Sequence, residues 1–437
     1  MTTFKTCIYN IAFWVFLFYD KDAFKIYLLE EGIDMLTDQQ MTLIKKTAPL
    51  LKERGMELVT IFYENMISHH PELLNQFNKT NLMNGSQPQA LAVTLYQAAL
   101  HIDRLEELLP AVKLIAHKHV STQVKAEQYP IVGYHLLLAM QELFGLAEDN
   151  ETLLAWKDAY EIIANIFVTV ESEMMKENEQ RENSWSQFKP FIVMRKKQES
   201  PSLMSFYLKP ADGTTLPSYS VGQYVTIQVD IPGEDFSCSR QYSLSDVFHS
   251  SHYRITVKRD GIVSTYLHDQ VQTGCMLRLS MPQGMFCLDN QATEPDPTYF
   301  ISAGSGITPM IGLVKTVAAK AQPFTMIHAD HLADVTAFEE ELTSVVKDAK
   351  TTGKVIFCNE QFESDDKNQE VIKVSSRINK KLLKEHISDK NGQFYLCGSP
   401  AFTKEIDQVL KSIGIRENRI HFEAFGGQTQ IETEVVS

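Results

Sequence analysis

The chain reads as three domains in series: an all-α segment, an antiparallel β-barrel and a parallel α/β sheet. Three observations predict this order. Apolar residues recur at helical spacing from Leu36 to about Lys176, with almost no strand signal. Between about Trp185 and Glu294 the pattern alternates with period two, and Pro and Gly separate the runs. From Asp296 onward, short apolar runs of strand length alternate with helical stretches, which implies a parallel sheet. A length of 437 residues suits about three domains of roughly 150 residues. The expected boundaries are residues 35–180, 185–294 and 295–437.

The first 34 residues stand apart. Ile11 to Tyr19 is an unbroken apolar run closed by Asp20, Lys21 and Asp22, too short for a membrane span of about 20 residues. No small-residue cleavage site follows, as a signal peptide would require. Glu30-Glu31-Gly32 requires purine-rich codons resembling a ribosome-binding sequence, two codons upstream of Met35. The expectation is a natural start at Met35; an intact mass beginning at Met1, from the native upstream region, would refute it.

In the all-α segment Thr37 is placed as an N-cap with Gln40 three residues on. Val59, Phe62, Tyr63 and Met66 form one helical face, and Leu91, Leu95, Ala98 and Ile102 another. Pro71, Pro110 and Pro130 mark helix starts. Val112, Ile115, Ala116 and His119 share a face while His117 points the other way. The polar run from Lys176 to Ser184 ends the last helix as a linker. Tyr224 to Asp230 and Tyr253 to Lys258 are barrel strands. In the last domain the expected strands are Tyr299–Ser302, Phe324–His328, Val355–Cys358 and Phe394–Cys397, with helices over Met310–Lys320 and Phe402–Ile413.

Composition excludes several functions. With 41 basic against 55 acidic residues the net charge is −14, and no dense Lys/Arg cluster offers a phosphate-backbone site, so a nucleic-acid partner is not expected. Nor is stable membrane insertion. The 6 cysteines contain no C-x-x-C pair, which argues against zinc, iron–sulfur or disulfide frameworks and fits a reducing cytosol.

His119, on an apolar helix face, is the candidate metal ligand, with His135 between Val132 and Ala139 as its rival. Tyr63 lies on the face of Val59 and Met66, Tyr129 at the mouth of the helix opened by Pro130, and Glu171 on the face of Phe167, Val170 and Met174. A carboxylate on such a face is either exposed by a local twist or hydrogen-bonded to something specific, because an unpaired buried charge costs several kcal/mol.

Ile61-Phe-Tyr63, His70-Pro-Glu-Leu, Phe77-Asn, Asn84-Gly-Ser-Gln87, Leu91, Ala116-His-Lys118-His119, Glu127-Gln-Tyr129-Pro-Ile-Val-Gly and Ala164-Asn-Ile-Phe167 together resemble the globin domain of bacterial flavohaemoglobins. The resemblance runs from Met35 to the C-terminus. It implies a globin fold in which His119 ligates haem b iron, Tyr129 and Glu171 are its hydrogen-bonding partners, Tyr63, Gln87 and Leu91 form the distal pocket, and Phe77 and Lys118 lie against the haem.

Gly222-Gln-Tyr224, Arg240-Gln241-Tyr242-Ser243, Gly261-Ile-Val263-Ser264 and Pro282-Gln-Gly-Met-Phe286 resemble the FAD motifs of the ferredoxin-reductase family. Arg240 would meet the phosphate bridge and Tyr242, Ser243 and Tyr224 the flavin. Val263 and Ser264 would open a helix whose N-terminus takes the pyrophosphate. Gly304-Ser305-Gly306-Ile307-Thr308-Pro309 follows a strand and opens a helix, so its backbone can approach a phosphate. With Cys397-Gly398 it resembles the NADH or NADPH site, and Ala424-Phe425-Gly426-Gly427 resembles the tail whose ring covers the flavin. Two departures are Ser399, where the family carries Pro, and this tail, where it carries Cys-Phe-Gly-Pro.

The resemblance implies a cytosolic nitric oxide dioxygenase that makes nitrate from nitric oxide and oxygen with electrons from NAD(P)H. The expected unit is a monomer. Two readings stay open beside it: a haem-based gas sensor or carrier whose reductase keeps iron ferrous, and a generic flavin reductase.

Overall fold

The structure, a computed structural model, describes residues 35–288, 296–330, 336–362 and 371–426. The expectations for residues 1–34 and for Gly427 lie outside these residues.

The globin-like segment begins with α1 (Asp38–His69), and Thr37 and Gln40 form the expected capping box. Pro71 opens a 3₁₀ turn, Pro71–Asn75, in place of an α-helix. The helices α2 (Lys79–Met83), α3 (Ser86–Leu100), α4 (Leu109–Thr122), α5 (Tyr129–Phe144) and α6 (Glu151–Glu179) follow. The last helix takes in the first four residues of the expected linker, Lys176 to Glu179. Ile44, Leu58, Val59, Met66, Ala99, Leu136, Trp156 and Ile162 close the core.

Six strands form the barrel: β1 (Lys189–Gln198), β2 (Leu203–Pro210), β3 (Tyr224–Val229), β4 (Cys238–Ser243), β5 (Tyr253–Lys258) and β6 (Met276–Leu279). Their order is β4-β3-β6-β1-β2-β5, all pairs are antiparallel, and the Leu244↔Ile255 bridge joins the two ends. A short helix, α7 (Ile262–Asp269), sits between β5 and β6.

The last domain contains β7 (Thr298–Ala303), α8 (Ile307–Ala319), β8 (Phe324–Ala329), α9 (Glu339–Asp348), β9 (Gly353–Cys358), β10 (Val371–Val374), α10 (Lys380–His386), β11 (Gln393–Gly398), α11 (Pro400–Ser412) and β12 (Ile420–Ala424). The parallel order β10-β9-β8-β7-β11-β12 reverses direction between β7 and β11. Ligands of open α/β sheets bind at the carboxyl ends of strands at such a switch point, and here Gly304 follows β7 and Gly398 ends β11.

Candidate functional site

The one-turn spacing of α4 presents His119 to α6. Its Nδ1 lies 2.7 Å from Glu171 Oε1 and 3.1 Å from the Tyr129 hydroxyl, and that hydroxyl donates to the same Glu171 oxygen at 2.6 Å. Glu171 is 3% exposed, so its carboxylate is buried and bonded, not turned outward by a helical twist. The pairing assigns the proton to Nδ1 and leaves the Nε2 lone pair for another partner. Tyr160 braces the cluster by donating to the Tyr129 carbonyl at 2.6 Å. Burial, reinforced by Glu171, raises the Tyr129 phenol well above its usual range, so it stays a donor. Phe167 packs its ring 5.6 Å from that of His119.

His135 is also buried, but its ring sits among His69 and His70, 5.4 and 5.6 Å away, with no place in this cluster.

Tyr63 points from α1 into the core, its ring edge-on to Phe77 at 5.7 Å. Burial raises its phenol pKa while the Gln87 side chain at the hydroxyl pulls the other way. Leu91 packs against the same core from α3. The helices α3 and α4 scarcely touch each other. Between them and α6 lies an apolar cavity lined by Thr94, Ala98, Leu105, Val112, Ile115 and Phe167. Val112 and Ile115 are on the helical face that carries His119.

In the barrel the β3–β4 register sets Tyr224 opposite Ser243, Val225 opposite Tyr242, Thr226 opposite Gln241 and Ile227 opposite Arg240. The four-residue motif therefore lies alongside the strand that Gly-Gln-Tyr leads into, and Tyr224 alone of those three residues pairs with it. Gly222 (φ +103°) must be glycine, because a Cβ there would sit 1.9 Å from the Phe286 carbonyl oxygen. Burial lowers the Arg240 pKa and raises that of Tyr242. The Tyr224 hydroxyl is buried without a well-formed hydrogen bond, beside Ser121 and Glu423. At the start of α7, Val263 and Ser264 are buried, and the Ser264 hydroxyl accepts from Asp260 N–H at 2.7 Å and donates to the Gly261 carbonyl at 3.1 Å. That hydroxyl shapes the turn, so a phosphate here would meet backbone N–H groups instead.

At the switch point the segment Gly304–Gly306 forms a 3₁₀ turn into α8, with Thr308 Oγ1 donating to the Ser305 carbonyl at 2.9 Å. Ile307 and Pro309 are buried at the start of the helix. A Cβ on Gly306 would lie 2.1 Å from the Cys397 carbonyl oxygen, so the glycine allows the two strand ends to meet. Cys397 is fully buried, and burial raises its thiol pKa. Ala424 pairs with Gly398, and Phe425 N–H donates to the Gly398 carbonyl at 2.8 Å, which sets Phe425 and the exposed Gly426 beside the end of β11. Ser399, one of the departures, is the N-cap of α11, accepting from Phe402 N–H at 3.3 Å.

The family profile for globins matches residues 60–167, that for oxidoreductase FAD-binding domains residues 190–287, and that for oxidoreductase NAD-binding domains residues 300–408. The flavohemoprotein of Halalkalibacterium halodurans is 41% identical over 411 residues, covering 90% of this chain and 97% of that protein. The chain belongs to the flavohemoprotein family. A second flavohemoprotein, from Bacillus subtilis, is 39% identical over 92% of this chain and 100% of its own length. The solved flavohemoglobin from Malassezia yamatoensis, with bound FAD and heme, has the same fold at a TM-score of 0.78 and 24% identity, covering 90% of this chain and 100% of that one. With globin, FAD-binding and NAD-binding domains, the chain's cofactors are haem, FAD and NAD(P).

The residues fit these groups. An apolar cavity whose lining Phe167 packs against the ring of His119, with the Nε2 of that ring left for a further partner, suits haem. A buried, poorly satisfied Tyr224 hydroxyl at the domain junction suits a flavin edge, and the glycine turn that opens α8 at the sheet's switch point suits a phosphate chain. The sequence reading missed Glu423. Burial pushes its carboxyl pKa up to about 7 against the opposing charge of Lys118, whose own pKa is lowered by crowding. Lys118 and Glu423 are about 300 residues apart, and only docking of the globin on the reductase brings them together.

Proposed function

We propose that the chain is a nitric oxide dioxygenase, combining nitric oxide, dioxygen and one electron into nitrate, with NADH or NADPH as electron source. When bound, FAD converts hydride into single electrons and haem iron supplies the oxygen chemistry. The observation that carries the reading is the His119–Tyr129–Glu171 cluster: a buried carboxylate on the far ring nitrogen makes the imidazole more basic, which suits oxygen activation better than storage.

In this reading His119 is the iron ligand, and Tyr129 and Glu171 orient it. Tyr63 and Gln87 offer hydrogen bonds on the distal side, Leu91 and Phe77 make its apolar wall, and Lys118 stands at the edge toward the reductase. An apolar wall admits small neutral gases and excludes ions. Arg240, Gln241, Tyr242, Ser243 and Tyr224 hold FAD, and the backbone around Val263 and Ser264 receives its pyrophosphate. The turn Gly304-Ser305-Gly306-Ile307-Thr308-Pro309, with Cys397 and Gly398, takes the nicotinamide nucleotide. Ala424, Phe425 and Gly426 lie where a ring can cover the flavin. The working unit is one cytosolic chain, because each site is completed within it and NAD(P)H is available there.

The test is aerobic nitric oxide decay at an electrode with the loaded protein and NADH, followed by nitrate assay. Rapid NADH-dependent loss with matching nitrate is expected, and His119→Ala should abolish it while NADH-dependent ferricyanide reduction persists. Loss no faster than the protein-free control would leave the sensor or reductase reading.

A further inference from the structure

The helix that carries His119 has a second polar face. His117 and Ser121 are four residues apart and therefore aligned on α4, on a different side from the His119–Glu171 pair. His117 Nδ1 lies 2.8 Å from Gln283 Oε1, and the Gly284 N–H points at the same nitrogen from 3.4 Å. Gln283 is 2% exposed and bonds Tyr224 through its backbone in both directions, at 2.8 and 2.9 Å. One helical turn on, Ser121 and Thr226 join hydroxyls at 2.9 Å, both fully buried.

The spacings match. Four helical residues rise about 6 Å, and the two strand residues from Tyr224 to Thr226 span about 6.6 Å. The two hydrogen bonds thus form rungs between elements of different domains, the first reaching β3 through Gln283 and the second directly at Thr226, across 166 and 105 residues of sequence. The first rung starts two residues before the candidate iron ligand and ends on Gln283, which is bridged to the candidate flavin-facing Tyr224; the second lands directly on the strand that Tyr224 heads. Gly284 (φ +117°) allows this, because a Cβ there would press to 2.9 Å from the Tyr224 ring. Polar rungs also fix one docking geometry, since a buried amide or hydroxyl that slips loses its partner.

We propose that His117, through Gln283 and with Ser121–Thr226 as the second rung, is a positioning residue that clamps the iron-ligand helix against the flavin strand and sets the rate of electron transfer between them. This rests on the haem and flavin placements proposed above, but not on nitric oxide being the substrate.

The test uses the full chain loaded with haem and FAD, mixed anaerobically with NADH in a stopped-flow instrument without nitric oxide. Flavin and haem reduction are followed at their separate bands. His117→Ala should slow haem reduction severalfold, because a loosened dock lengthens the path the electron must cross. Flavin reduction by NADH and the resting haem spectrum should be unchanged. Ser121→Val should act in the same direction. His117→Gln, whose amide can still reach Gln283, should recover most of the rate. Hydrogen–deuterium exchange at the Tyr224–Val229 amides should quicken in His117→Ala and return toward normal in His117→Gln. Haem reduction unaltered in both His117→Ala and Ser121→Val would overturn the proposal. So would equal slowing of flavin and haem reduction. If nitric oxide consumption fails but these rates behave as expected, the dioxygenase reading falls and the clamp stands.

Discussion

At the scale of single residues, the chemistry is decided by which polar atoms are buried and what they face. Glu171 is tolerated in the core because two donors converge on one of its oxygens. Tyr63 is kept neutral by burial, so it remains a donor across the physiological range. Tyr63→Phe should remove a hydrogen bond of about 1 kcal/mol. Oxygen dissociation from the reduced, haem-loaded protein should then quicken about fivefold. Displacement by carbon monoxide in a stopped-flow instrument measures this, and an unchanged rate would refute the donor role. His119 and Glu171 were legible from periodicity because each polar group interrupts an apolar face, whereas Tyr129 was legible only from its place before Pro130 and from the resemblance. His117 was read only as pointing away from that face. Its partner Gln283 could not be read, because the contact crosses domains.

At the scale of elements, the turns carry the precision. The Gly304–Gly306 turn brings the ends of β7 and β11 so close that no side chain fits at Gly306. Gly306→Ala should displace that turn and slow flavin reduction by NADH about tenfold or more. The haem spectrum should stay as it was. Wild-type flavin reduction in this variant would show that the turn has no part in nucleotide binding. Strong alternation made β3 and β5 legible, and an apolar run ending in Cys-Gly made β11 legible. The elements α9, β10 and α10 were not, because α9 opens with Glu339, Glu340 and Glu341, β10 has four residues, and α10 has seven. Ser264 taught a related lesson: a hydroxyl at a helix start can be consumed by its own turn.

At the scale of the whole molecule, the barrel and the nucleotide domain are joined by a buried ionic network. Arg254 of β5 is 3% exposed and donates to Glu341 of α9 at 2.8 and 3.0 Å, while Lys315 of α8 reaches Glu341 at 2.9 Å and also Asp246. Burial alone would raise the pKa of both carboxyls, but Arg254 and Lys315 hold Asp246 and Glu341 below their usual values. A depressed folded pKa means the unfolded chain binds more protons on acidification. The stability from these groups is therefore full above their unfolded values of 3.8 and 4.5 and is lost as pH falls through the lower folded values. Glu341→Gln should cost about 3–5 kcal/mol near neutral pH, because it strands buried cations, and should flatten the acid limb of the stability profile. Urea titrations from about pH 7 to about pH 3 would show this. An acid limb as steep as in the parent protein would place the acid sensitivity elsewhere.

The sequence by itself determined the three-domain order, the helix face that presents His119 and the glycine turn after β7. These follow from local spacing, since the periods of helix and strand and the steric freedom of glycine act over a few residues. The tertiary structure alone decided that Glu171 is buried and bonded, that Lys118 faces Glu423, that His117 reaches Gln283, and that Arg254 and Glu341 join two domains. Those pairings depend on how faces from distant segments dock, and nothing in the local pattern of either partner names the other.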